Sequence, residues 1–172
     1  MATIPTSSRN EHAASPGGAP GSALSSTDKI VELADHLSAC ADQLHERVMK
    51  EIRSYGGAPV PAGVQASARA LFEDEVLLRQ RANGLYADAA TVIVKGLGKP
   101  QSHLMALTAD AAEKIRKIGL IAEVTTLVAG LLAFAGAVGT GQPAPILLAL
   151  DKIAKQIKII EAVAPKPPSA AA

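Results

Sequence analysis

From Glu123 to Asp151 the chain carries no charged side chain across 27 consecutive residues, and this stretch limits the possible folds more than any other feature. It contains the runs Leu127-Val-Ala-Gly-Leu-Leu-Ala-Phe134 and Ile146-Leu-Leu-Ala-Leu150. A helix that is apolar around its whole circumference must be covered by protein or by lipid. As a helix, Ile118 to Val138 would reach about 31 Å, enough for a hydrocarbon core of about 30 Å. Glu123 falls inside that span; a charge is costly near the midplane, but Glu123 sits close to one end. The charge-free run after Gly139-Thr-Gly-Gln-Pro143 is too short for a second crossing. The expectation is an apolar hairpin over residues 118–151, with at most one crossing or a shallow insertion.

The rest of the chain reads as helices in heptads. Ile30, Ala34, Leu37, Ala41, Leu44 and Val48 alternate spacings of four and three, the seam of a packed helix over about residues 27–55. Ser25, Ser26 and Thr27 offer N-caps, and Gly56-Gly57 with Pro59 and Pro61 stop it. Val64, Leu71, Leu78, Leu85 and Val92 recur every seven residues and predict a second helix over about 64–95. Glu75 interrupts its alanine-rich seam, with Arg79 one turn on in the favourable order for a helical ion pair. Asn83-Gly84 predicts a kink. After Gly96-Leu-Gly-Lys-Pro100, a third helix is expected over about 102–138, and a fourth over about 145–163 with Ile146, Leu150, Ile153, Ile157 and Ile160 in register. No segment alternates like a strand. The expected fold is all-α, an antiparallel bundle of four helices, two of them long and heptad-patterned. Residues 1–26 and 164–172, rich in Ser, Pro, Gly and Ala, are expected to be disordered tails.

Composition narrows the function classes. Lys and Arg number 17 against 16 Asp and Glu, a net charge of +1, and only Tyr55, Phe72, Tyr86 and Phe134 are aromatic. Neither the cationic excess nor the stacking surface of a nucleic-acid binder is present, so no nucleic-acid partner is expected. The single Cys40 excludes an intramolecular disulfide and a Cys-rich zinc site. Glu32, His36 and Cys40 share a helix face, but three mixed ligands with no matching cluster make a poor metal site. A di-iron bundle needs Glu-x-x-His on two helices, and the chain has none. Cys40 with His36 lacks an orienting group or an oxyanion donor and reads as a small buried hydrophobe. Gly96-Leu-Gly-Lys-Pro lacks the spacing of a phosphate loop. No catalytic residue, metal or cofactor is expected, and the chain reads as non-enzymatic.

The expected function is association through the 118–151 hairpin. Leu127, Leu131, Leu132, Phe134, Leu147 and Leu148 are the candidates for membrane or partner contact. Lys114, Arg116 and Lys117 before the hairpin, and Lys152, Lys155 and Lys158 after it, are the candidates for anionic headgroups. Ala129, Ala133 and Ala137 form a small-residue ridge open to a neighbouring helix. The Ser-rich, nearly acid-free first residues resemble the unstructured export signals of bacterial type III secretion substrates. The general plan is similar to helical pore-forming toxins and secretion translocators, which implies a secreted, membrane-active protein. The alternative is a soluble scaffold or subunit in a homo- or hetero-oligomer of helical partners. Secretion without a classical signal peptide and a cytoplasmic location are both left open.

Overall fold

The computed structural model describes residue 24, residues 26–92, 100–119 and 121–163, and every regular element among them is an α-helix. The helices are α1 (Thr27–Arg53), α2 (Ala62–Asp88), α3 (Pro100–Lys117), α4 (Ile121–Gly139) and α5 (Pro143–Val163). The expected tails lie outside the described residues except for Leu24, which is buried in the core, and Ser26. So do residues 93–99, with the expected end of the second helix and most of the Gly96–Pro100 break.

Ser26 is the N-cap that forms: its hydroxyl accepts from the Lys29 amide at 3.4 Å. Asp28 in the first turn, with Lys50 and Arg53 in the last, suits the helix dipole of α1. The helix ends at Arg53, and Gly56 and Gly57 take φ of 58° and 88°, which only glycine adopts without strain. The chain can therefore reverse into α2. Side-chain pairs fix the α1–α2 register: His45 meets Glu75, Asp42 meets Arg79 and Asp35 meets Tyr86. As the α1 number falls the α2 number rises, so the two helices are antiparallel. Between them lie the heptad seams, with Leu37, Leu44, Leu71 and Leu78 fully buried. Burying one such side chain stabilises the fold by about 1.5 to 3 kcal/mol.

One boundary differs clearly from the sequence expectation. The second helix stops at Asp88, well before residue 95. There the Thr91 amide and hydroxyl and the Val92 amide all donate to the Asp88 carbonyl, and the chain turns. Helix α2 continues through the Asn83-Gly84 step.

The larger correction concerns the third helix. In place of one helix over 102–138 the chain forms α3 and α4, so the described residues hold five helices instead of four. The break falls at Ile118-Gly119, and its cause is tertiary. Arg47 of α1, only 8% exposed, donates from Nε to the Ile118 carbonyl at 3.0 Å and from an η nitrogen to the Gly119 carbonyl at 2.8 Å. Its other η nitrogen is held by Glu51 at 3.0 Å. The carbonyls that a continuing helix would bond internally are given to a guanidinium, and such charge-assisted bonds are strong.

The break sets the topology. Residues 36 and 108, and 47 and 118, meet, so α3 runs parallel to α1. Gly119 and Ile121 share a crevice with Gly63, Val64 and Ser67, which places the start of α4 beside the start of α2. From there α4 packs mainly on α5 and α2. Lys114 of α3 reaches Glu161 of α5, so these two helices end at the same end of the molecule.

Candidate functional site

The α4–α5 hairpin is built by size segregation. Val124, Leu127, Val128, Leu131, Phe134 and Val138 of α4 point inward and are all buried. Ala122, Thr125, Thr126, Ala129 and Ala133 point outward and are exposed. The Thr125 and Thr126 hydroxyls donate to the Ile121 and Ala122 carbonyls at 3.1 Å, so they present methyl groups outward and leave the surface apolar and smooth. Gly141, with φ of 67°, and the Thr140 hydroxyl bonded to the Ala137 carbonyl at 2.7 Å turn the chain into α5. On the α5 side Gly130 lets the helices come close, because a Cβ built there would sit 3.3 Å from Ile153. Among the described residues α4 alone has the length and composition to cross a membrane; 39% of that stretch is buried, and a core helix meets the same criterion.

The six apolar candidates divide. Leu127, Leu131 and Phe134 are fully buried in the core and offer no contact surface in this conformation. They are enclosed because α5 and α2 pack along the inward half of α4, with smaller contacts from α3 and α1. Leu132 is half-buried, whereas Leu147 and Leu148 stand exposed on α5, Leu148 by 63%. Of the small ridge, Ala129 and Ala133 are exposed and Ala137 is buried.

The basic candidates divide as well. Lys114 pairs with Glu161, Arg116 and Lys117 with Glu113, and Lys155 with Asp151. Arg116 and Lys117 beside Glu113 hold its carboxyl down at about 2. Lys152 and Lys158 are exposed and in no ion pair among the described residues. The lysines of α5 share its solvent face with Leu147, Leu148 and Ile159.

Two polar clusters go beyond the sequence reading. The Arg47 clamp has a legible signal: Leu33, Cys40 and Arg47 repeat every seven residues, which places an arginine in the register of buried positions. The other is the environment of Glu75, which is 8% exposed and accepts from Arg79 at 3.0 Å while contacting His45 at 3.0 Å. Arg79 also reaches Asp42 at 2.8 Å, and the His45 ring lies 5.6 Å from that of Phe72. The expected Glu75–Arg79 pair is thus present within α2, and both of its members also reach α1, through His45 and Asp42. Arg47 also lines an open cavity of about 460 Å³ together with Gln43, Glu46, Lys50, Arg53 and Arg116.

Cys40 is fully buried, and burial pushes its thiol up to about 12, which keeps it protonated and unreactive near neutrality. His36 meets the buried Thr108 hydroxyl at 3.1 Å. Among the described residues no group of three His, Cys, Asp or Glu side chains could hold a metal ion. Outside the hairpin, an open cavity of about 540 Å³ lies where α1 ends and α2 begins, lined by Ile52, Val60, Arg69, Phe72, Glu73 and Val76 among others. Comparison with protein-family models, with curated proteins and with solved structures finds no match to this chain.

Proposed function

We propose that this chain works by association rather than by catalysis, and that the outer surface of the α4–α5 hairpin binds an anionic lipid surface. The solvent face of α5 carries the reading. There Leu147, Leu148 and Ile159 stand among Lys152, Lys155 and Lys158 on one side of one helix. A helix of this kind lies in the plane of a membrane, its apolar side chains at the acyl boundary and its lysines among headgroups. Each lysine near an anionic surface contributes about 1 kcal/mol. Asp151 on the same face offsets part of this through Lys155, so Lys152 and Lys158 supply most of the attraction.

Flotation of the full chain with liposomes tests the proposal. It should float with vesicles containing anionic lipid and stay behind with neutral ones. Leu148→Asp, and the pair Lys152→Glu with Lys158→Glu, should each abolish flotation at unchanged helix content. Failure to float with either lipid overturns it.

A second reading rests on the smooth face of α4. Ala122, Thr125, Ala129 and Ala133 would admit a partner helix at close range, as in a homo-oligomer or a complex with another helical subunit. Ala129→Leu should then block assembly and leave flotation untouched.

A further inference from the structure

The outer face of α2 has a symmetry of its own. Ala62, Ala66, Arg69, Glu73, Val76 and Gln80 are spaced alternately four and three residues apart, and all six are exposed. They form a second heptad seam, on the side of α2 turned away from α1. The seam is ordered by size about a centre between Arg69 and Glu73, with two alanines before it and two larger side chains after it. At the centre stand one cation and one anion. They are one helical turn apart with the arginine first, the less favourable order for pairing within a helix. Neither makes an ion pair among the described residues. Beside the seam lies the open cavity of about 540 Å³.

We infer that a second copy of this chain docks here, with the two α2 helices antiparallel about a two-fold axis between Arg69 and Glu73. In that register Arg69 of each copy faces Glu73 of the other, twice. Ala66 faces Val76, and Ala62 faces Gln80, so outside the charged centre each larger side chain meets an alanine. Arg69, Glu73 and Val76 of the seam line the cavity together with Val60 and Phe72. The contact is the same patch on both copies, as a closed dimer requires. The face is separate from the α4–α5 surface, so this inference does not depend on lipid binding.

Sedimentation equilibrium of the full chain over a concentration series tests it. The wild type should approach twice the chain mass. Arg69→Glu alone and Glu73→Arg alone each place like charges opposite one another and should leave single chains. The double variant carrying both should recover the dimer. If a charge reversal lowers helix content, Val76→Asn at the exposed seam makes the same test. A chain carrying both Ala66→Cys and Val76→Cys should oxidise to a covalent dimer, and neither single variant should. Within one chain these positions are almost three turns apart, too far for a disulfide. A wild type of single-chain mass at every concentration overturns the proposal. So does a dimer indifferent to both charge reversals, or one not recovered by the double variant.

Discussion

The α1–α2 pair and the α4–α5 hairpin are both antiparallel helices joined by glycine-containing turns, yet they are held by different forces. Across α1–α2 the seam is lined by directional contacts: His45 with Glu75, Arg79 with Asp42 and Glu75, Tyr86 with Asp35. Between α4 and α5 no side-chain hydrogen bond or ion pair occurs among the described residues. Shape does the work instead, through the close approach at Gly130 and the enclosure of Phe134 and its neighbours. Polar contacts specify register, because a slip of one residue breaks them all. An apolar interface specifies it only through packing, which tolerates repacking more readily. The hairpin therefore depends on what fastens it to the rest of the fold, and the Arg47 clamp at its root is the main polar fastening.

The largest break in this comparison should come from Phe134→Ala, which opens a cavity where the hairpin has no polar contact to compensate. The expected loss is about 3 to 5 kcal/mol in chemical denaturation. Arg47→Met should follow at about 2 to 3 kcal/mol, since the Ile118 and Gly119 carbonyls lose charge-assisted donors. Its second signature is more telling. Amide exchange should speed up in α4 and α5 more than in α1 and α2, because the hairpin loses its root while the polar seam remains. Uniform acceleration across all the helices would show that the clamp does not separate the two regions.

Much of the α1–α2 half was legible in the chain because its information is local. Heptad spacing named the buried positions, Gly56-Gly57 named the turn, and Glu75 followed by Arg79 named the ion pair. The α3–α4 break was hidden for the opposite reason. Ile115, Ile118 and Ala122 keep helical spacing straight through Gly119, and the group that ends the helix is a guanidinium some 70 residues away in sequence. The burial of Leu127, Leu131 and Phe134 was hidden for a different cause. Counting apolar residues around α4 treats alanine and leucine alike, so it finds a helix greasy on every side. Sorting them by size separates an inward face of Leu, Val and Phe from an outward face of Ala and Thr. Only Leu147 and Leu148, on the turn-proximal part of α5, remained as large exposed side chains among the six candidates.

Two glycines sharpen the claim that shape holds the hairpin. Gly136→Ala meets nothing within 4 Å, so it should stabilise by about 1 kcal/mol through helix propensity. Gly130→Ala brings the same gain but crowds Ile153 at 3.3 Å. Its net change should be smaller than that of Gly136→Ala, or reversed in sign. Adding Ile153→Val to Gly130→Ala should restore part of the difference, measured as a non-additive double-mutant term. Equal gains at both positions would mean that α4 and α5 are free to move apart.

The smallest expected effect concerns charges that decorate one helix without joining two. Glu113 pairs with Arg116 and Lys117 of its own α3, in contrast to the Arg79 contacts that cross from α2 to α1. Hydrogen bonds from Arg116 and Lys117 lower its carboxyl from 4.5 to about 2. Because the folded value is depressed, the contribution is present above about 4.5 and is lost as pH falls towards about 2. The Glu113 side chain is 41% exposed, and water and salt screen such pairs, so its loss should leave the mutual packing of the helices unchanged. An NMR titration of the Glu113 side chain should give a midpoint near 2, and Arg116→Ala should move it up towards 4.5. Added salt should shift it in the same direction by weakening both partners. A midpoint already near 4.5 in the wild type would mean that Arg116 and Lys117 are free of Glu113 in solution, which would return both cations to the set available for anionic headgroups.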